Sequence, residues 1–262
     1  MPPVLATASP LAGTYRRLTR SCDALDVRVP AAGGQPLDTI AGSWLNAREV
    51  ATRTDALDAL VDGESARILA AHGHTARPDA AASRILHHYL WQACLLISGP
   101  WYLERKVPRI RPEDLWIQPA TGTLALSPGD FSHAADDDAS RAELRSAVAD
   151  HVQPLLAAFR PRLRRGPRTL WGMAADDLIS GIWYLGRVLG QEEHAVREAA
   201  ALLPGGTPPF PGAAGFRRLR DEAGRSYVTR TRAGCCMYYT IRPDEACLTC
   251  PRTSDAERLR RF

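Results

Sequence analysis

Cys235, Cys236, Cys247 and Cys250 fall within sixteen residues of one another, in the pattern C-C-x10-C-x2-C. Four thiolates at this density are what a structural zinc ion or an iron–sulfur cluster requires. Cys247-Leu-Thr-Cys250 is a short loop able to wrap two sulfurs around one ion. Cys235-Cys236 is not, because adjacent residues in extended backbone project to opposite sides. A vicinal pair suits two metal atoms a few ångströms apart, and a [2Fe–2S] cluster has two irons that each take two thiolates. The spacing therefore favours [2Fe–2S] over zinc. It departs from the C-x4-C-x2-C spacing of plant-type ferredoxins and from the bacterial C-x2-C-x2-C-x3-C run. Zinc and a disulfide pair stay open as alternatives.

The flanking residues suit a cluster pocket. Gly234 leaves room for close approach to sulfide, and Pro251 stiffens the exit from the C-x2-C loop. Tyr238, Tyr239 and Ile241 could shield one side from water, although they read equally as strand residues packing on a hairpin. Arg232 and Arg242 could stabilise a reduced, more negative centre, or be ordinary surface charges. Trp171, Arg232, Tyr238 and Arg242 are the candidates for substrate contact; core packing is the competing account of Trp171.

Other constellations are weaker. His72-Gly-His74 has chelating spacing but no nearby cysteine, and His87-His88 reads as a partly buried polar pair. Cys22 and Cys94 read as small core residues. The Arg160–Arg168 run could bind an anionic ligand or a donor protein, but a solvated helix end is the simpler account. Asp136-Asp-Asp138 reads as a helix start. No P-loop, no G-x-G-x-x-G after a strand and no G-x-S-x-G is present, so NAD and flavin are not expected in this chain and electrons must come from elsewhere.

The elements that position these residues can be read from periodicity. Residues 1–13 are rich in Pro, Ala and Ser and suggest a loose arm. A short helix is expected over 15–23, a strand over 25–29 and a turn at 31–36. One or two helical stretches are expected within 37–62, with Thr54 as a cap, then another over 64–72. Asp79 should cap a long helix ending at Gly99-Pro100. Residues 114–126 read as a β-hairpin turning at 119–122. Helices follow over 140–159, 171–189 and 191–203, with Pro154 a candidate kink. Pro204–Gly215 has four Pro and four Gly in twelve residues and is the best candidate linker. A hairpin over 216–232 then leads into the cysteines.

The expected fold class is thus α+β. It comprises a mostly helical substrate-binding body (1–203) with a small β-hairpin element, a linker (204–215) and a small cysteine-rich [2Fe–2S] module (216–262). Hydrophobic content of 45% and charge of 24% are those of a soluble globular chain. No apolar run approaches the roughly 18 residues that span a bilayer, and no secretory signal is evident, so a cytoplasmic, thiol-reducing location is expected. The net charge of +4 is unevenly spread: residues 216–262 hold 11 Arg against 6 Asp and Glu. This excess reads either as a solvated Arg-rich surface or as a docking face for an acidic electron donor or anionic substrate.

The C-C-x10-C-x2-C pattern, with Tyr238-Tyr239 after the vicinal pair, resembles the ferric-siderophore reductases of the FhuF type. Leu170-Trp171-Gly172 opening a helix is similar to that family's Leu-Trp-Gly-Asn, with Met173 in place of Asn. The resemblance implies Cys235, Cys236, Cys247 and Cys250 as ligands of a [2Fe–2S] cluster. It further implies one-electron reduction of Fe(III) in a siderophore, typically a hydroxamate, with a ferredoxin or an NAD(P)H-dependent reductase as external donor. No nucleic-acid partner is expected, and peripheral membrane association is left open. Two other readings compete: a four-cysteine zinc module using the Arg-rich tail at 257–262 for interaction, and a [2Fe–2S] carrier or redox sensor that never meets a siderophore.

Overall fold

The computed structural model describes residues 11–29 and 43–262. The expected turn at 31–36, most of the N-terminal arm and residues 37–42 lie outside the described residues. Where the arm is described it is anchored: Leu11 is fully buried and helix α1 (Ala12–Ser21) begins at once. Strand β1 (Val27–Arg28) follows, then β2 (Leu45–Asn46). Helix α2 (Ala47–Thr52) opens on a capping box, in which Asn46 and Glu49 each accept the other's backbone N–H.

Helix α3 (Thr54–His72) is continuous, where two pieces were expected. Gly63 does not break it. A Cβ at Gly63 would stand 2.2 Å from the Pro119 carbonyl oxygen, so the glycine lets a neighbouring turn approach the helix backbone. Thr54 is the first helical residue, and the cap position falls to Arg53.

Helix α4 (Pro78–Glu104) runs straight through Gly99-Pro100, correcting the expected end there. Gly99 faces Leu18 of α1, whose methyl would lie 2.7 Å from an added Cβ. Pro100 has no N–H to give to the Leu96 carbonyl; the Tyr15 hydroxyl donates to that oxygen instead, at 3.2 Å. Both residues are spent on packing α1 against α4. Helix α4 also packs on α3 and on the two long helices that follow, and it lies at the centre of the body.

Strands β3 (Val107–Pro108), β4 (Leu115–Ile117), β5 (Leu124–Leu126) and β6 (Phe131–Ser132) form the β-structure of the body. The four-stranded sheet has the order β1-β5-β4-β2. β4 and β5 form the expected hairpin with Leu115 opposite Leu126, and β1 joins β5 in parallel. β3 and β6 pair separately.

Helix α5 (Asp137–Leu163) begins at Asp136, whose side chain accepts the Ala139 N–H at 2.8 Å, as the run of acids suggested. Helix α6 (Pro167–Val188) and α7 (Glu192–Leu202) complete the body. The Pro/Gly-rich stretch folds back on it. Phe210 and Ala214 are buried in the main core, Ala214 N–H bonds to Leu203 O at 2.9 Å, and Phe210 meets Trp171 edge-on at 5.6 Å.

The hairpin of β7 (Phe216–Arg220) and β8 (Ser226–Arg230) is in register from Phe216↔Arg230 to Arg220↔Ser226. Short helical turns at Tyr238–Thr240 and Pro243–Glu245 follow, and helix α8 (Asp255–Arg260) closes the described chain. The class is α+β: mostly helical, with small sheets and the cysteines clustered near the C-terminus. Among the described residues no helix is long and apolar enough to cross a membrane.

Candidate metal centre

The cysteine segment hangs from helix α6 by two adjacent carboxylates, Asp176 and Asp177, both essentially buried. Asp176 accepts from the Arg230 guanidinium at 2.5 Å and from the backbone N–H groups of Ala233 at 3.1 Å and Gly234 at 2.7 Å. Asp177 accepts from Arg232 at 2.6 Å and bonds to His87 Nδ1 of α4 at 2.9 Å. Two buried carboxylates are thus matched by two buried guanidiniums, which such a site requires to be stable.

The charge states follow from these partners. Burial pushes the Asp176 carboxyl up, against the opposing pull of Arg230, Arg232 and the two N–H groups. Burial also acts on Asp177, but Arg232 and His87 outweigh it and hold its carboxyl below the usual range. Burial pushes the His87 imidazole down, so at neutral pH the ring is neutral. Its Nδ1–H is assigned to Asp177, leaving Nε2 to face Arg232 at 3.4 Å.

Four residues past Arg230, Gly234 lies against α6. A Cβ there would stand 2.8 Å from Met173 Cγ and 3.3 Å from Met173 backbone atoms. The glycine serves this helix contact. Met173, the departure from the Leu-Trp-Gly-Asn pattern, is fully buried beneath it. Arg165, from the basic run after α5, donates to Cys235 O at 2.7 Å, so that run is more than a solvated helix end.

Each of the four sulfurs faces a donor. Met237 N–H is 3.4 Å from Cys235 Sγ, and Arg84 of α4 is 4.0 Å from Cys236 Sγ. Thr249 Oγ1 is 3.9 Å from Cys247 Sγ, and Arg252 N–H is 3.5 Å from Cys250 Sγ. Met237 holds the left-handed conformation, with φ of 64°, a strained choice for a non-glycine residue in the turn that carries its N–H to the vicinal pair. The second pair is tied within its own segment. Arg258 of α8 donates to Leu248 O at 2.6 Å and to Cys250 O at 2.8 Å. Thr253 donates to Cys247 O at 3.1 Å, and Arg232 N–H bonds to Thr249 O at 2.9 Å.

The sulfurs act on one another across the two pairs. Burial raises the Cys235 thiol, and Cys250 and Cys236 add to the rise. Burial raises Cys247 too; Arg232 opposes this, while Cys236 and Cys250 reinforce it. Cys250 and Cys236 are buried; Cys247 is exposed as a residue, although its thiol is shielded. Thiols placed like this do not all ionise on their own account, and cationic iron is what converts such a set to thiolates. Four clustered sulfurs, each with a hydrogen-bond donor at hand, fit an iron–sulfur cluster, whose potential is tuned by such donors. Among the described residues, no three His, Cys, Asp or Glu side chains converge as donors to a single ion.

The remaining sequence candidates have distinct fates. Arg232 is not a surface charge: it is 6% exposed and turned inward on Asp177. Trp171 packs edge-on against Phe210. Tyr238 lies beneath the Arg84 guanidinium, 4.6 Å from ring centroid to Cζ, in a helical turn and not in a strand. Tyr239 is likewise covered by Arg252 at 4.2 Å. Ile241 is buried with Ile68 and Ala81 of the body. Arg242 is exposed and paired with Glu245. Cys22 and Cys94 are buried in the main core. The arginine excess of the module is partly structural, since Arg230, Arg232 and Arg258 are buried.

Sequence reasoning missed Asp176, Asp177, His87 as a hydrogen-bond partner of Asp177, and Arg84. Only the adjacency of two acids within an otherwise apolar helical stretch, Met173 to Ile182, offered a signal.

This arrangement defines a helical protein that closes a four-thiol redox module onto a buried ion-pair network. Residues 232–252 match the family model described as the FhuF 2Fe-2S C-terminal domain. No curated protein matches the chain. The chain therefore carries a C-terminal module similar to that domain, and its cofactor is a [2Fe–2S] cluster.

Proposed function

We propose that the protein is a ferric-siderophore reductase, with Cys235, Cys236, Cys247 and Cys250 holding the cluster. The observation that carries this reading is the junction at Arg84. One residue of the body touches both a sulfur of the module and the ring of Tyr238, so the module is built into the wall of a larger structure. A free-standing carrier needs no such wall, and this favours a protein that holds a substrate beside its redox centre.

When bound, the cluster supplies one electron at low potential. The substrate is Fe(III) in an oxygen-donor chelate, of hydroxamate type by the module's resemblance. Gaining that electron, the iron becomes Fe(II), which hard oxygen ligands hold far less tightly, and the metal is released. The electron is replaced by an external one-electron donor, a ferredoxin or an NAD(P)H-dependent reductase. The exposed face at Cys247 is where that donor would approach. The residues of the chain hold and orient; no proton transfer by a side chain is needed. The setting in which siderophores are unloaded would be the cytoplasm.

The test is an anaerobic titration. The protein, reduced with dithionite and freed of excess reductant, is mixed with a ferric trihydroxamate in the presence of an Fe(II) indicator. The expected result is return of the oxidised visible spectrum with one Fe(II) formed per cluster. A spectrum that returns only with oxygen would leave a cluster protein of another role.

A further inference from the structure

A cleft of about 240 Å³ opens beside the module, walled by Glu64, Arg67, Ile68, Ala71, Arg84 and Tyr238. It lies between helices α3 and α4 of the body and the turn that follows the vicinal cysteines. Ile68, Ala71 and the Tyr238 ring make part of the lining apolar. Three charged side chains share the rest. Arg67 is spent on Glu64, at 2.7 and 3.0 Å to the same oxygen, and on Pro119 O. The other Glu64 oxygen has no donor among the described residues. Arg84 has no carboxylate within ion-pair distance among the described residues. Its contacts are a sulfur at 4.0 Å and the face of Tyr238, which leave most of its five N–H groups unspent. His72, in the same lining, carries an Nδ1 that is buried without a hydrogen-bond partner.

We infer that this cleft seats one arm of the ferric trihydroxamate and that Arg84 is the side chain that holds it beside Cys236. This rests on the reductase reading and gives its substrate a place. Two guanidiniums against one carboxylate leave the lining a single positive charge, the unspent one on Arg84. A chelate of high negative charge would carry most of that charge into the cleft without a counter-charge, beside a bare Glu64 oxygen, which is costly. A trihydroxamate complex of Fe(III) is neutral, three univalent groups on a trivalent ion. Each hydroxamate still presents two polarised oxygens side by side, and a guanidinium matches such a pair with two parallel N–H bonds. The methylene linker between hydroxamates finds an apolar bed on Tyr238, Ile68 and Ala71. The 240 Å³ volume admits one arm, with the remainder in solvent. A chelate seated against Arg84 is separated from Cys236 Sγ by that one guanidinium, so iron and module are held close without direct contact between chelate and sulfur.

The experiment uses the Ga(III) complex of a linear trihydroxamate, which binds like the ferric one but takes no electron. Binding to the cluster-loaded protein is followed by calorimetry. The Kd should stay flat as salt rises from about 20 to about 300 mM, because the complex is neutral. Arg84→Gln should weaken binding about tenfold. Ala71→Phe, which fills the cleft from the α3 wall, should weaken it at least as much. The Ga(III) tris-catecholate of charge 3− should bind less tightly than the trihydroxamate. An unchanged Kd in the Ala71→Phe protein would overturn the inference even if Arg84→Gln proves unstable. Tighter binding of the tris-catecholate, or no binding of the trihydroxamate by the unaltered protein, would do the same. The reductase reading fails separately: it falls if the ferric trihydroxamate does not reoxidise the reduced protein. Reoxidation that proceeds with both variants binding normally would place the chelate elsewhere and leave the reductase reading standing.

Discussion

The two cysteine pairs are held by different parts of the molecule. Cys235-Cys236 is fixed from outside its own segment. Asp176 captures the backbone just before it, Arg165 its carbonyl and Arg84 one of its sulfurs. Cys247 and Cys250 are fixed mainly from within, by Arg258, Thr253 and the backbone of Arg232. The first pair therefore inherits the stability of the helical body, and the second depends on a few local hydrogen bonds. A centre with one half anchored to the body and the other to its own loop can keep an exposed edge at Cys247 without loosening the buried edge at Cys236.

That contrast can be tested directly, because all six tryptophans lie at or before residue 183. Tryptophan fluorescence reports the body, and visible absorption reports the centre. The largest effect should come where the two pairs are equal: Ser in place of any one of the four cysteines should abolish the visible bands and most of the two irons, with the fluorescence melt little changed. Retention of a full cluster in Cys247→Ser would count against the ligand assignment.

The next largest effect should separate the pairs. Asp176→Ala leaves Arg230 buried without its partner and should cost about 3–5 kcal/mol, lowering the fluorescence melt and the cluster content together. Arg258→Met should cost about 1–3 kcal/mol by orphaning two carbonyls, and should reduce cluster content while the fluorescence melt barely moves. If both variants shifted both signals alike, the division between body-held and loop-held pairs would be wrong.

Acid should act first on the body. Burial pushes His151 down to about 4; it accepts from the Tyr89 hydroxyl at 2.8 Å and donates to Ile110 O at 3.0 Å. Its folded value lies below the unfolded one, so the unfolded chain takes the proton first as pH falls. Stability is lost from about pH 6.5 down to about 4, by roughly 3 kcal/mol in all. Urea melts followed by fluorescence should show that slope, and His151→Gln should flatten it.

Smaller effects should refine the picture. Gly234→Ala pushes a methyl onto Met173 and should cost about 1–3 kcal/mol, disturbing the visible bands more than the tryptophan signal. Thr249→Val removes a donor from the Cys247 sulfur. It should lower the midpoint potential by about 20 mV, the equivalent of ~0.5 kcal/mol, as read in a redox titration, without altering either melt.

What could be read from the chain follows the same division. The cysteine spacing and both hairpins are local features, written in turn residues and short-range pattern, and Leu115↔Leu126 and Phe216↔Arg230 pair as the turns imply. The outer anchors are not local. Arg232 meets His87 from 145 residues away, and nothing in a single sequence separates a buried arginine from a solvated one in an Arg-rich tail. Gly63 and Gly99-Pro100 look like breakers because their reasons, Pro119 and the α1 packing, lie in distant segments. Tyr15 filling the hydrogen bond that Pro100 vacates is a tertiary substitution no window of sequence can display.

The Asp176–Arg230 and Asp177–Arg232 pairs also have a direction in time. Synthesis delivers the carboxylates more than fifty residues before the arginines that neutralise them. Until then, a nascent body would have to bury two bare negative charges in the face of α6, which is strongly unfavourable. That face must stay open to water until the tail arrives. Completion of the body and capture of the vicinal cysteines thus become one folding event, so the redox segment is not displayed on an unfinished scaffold.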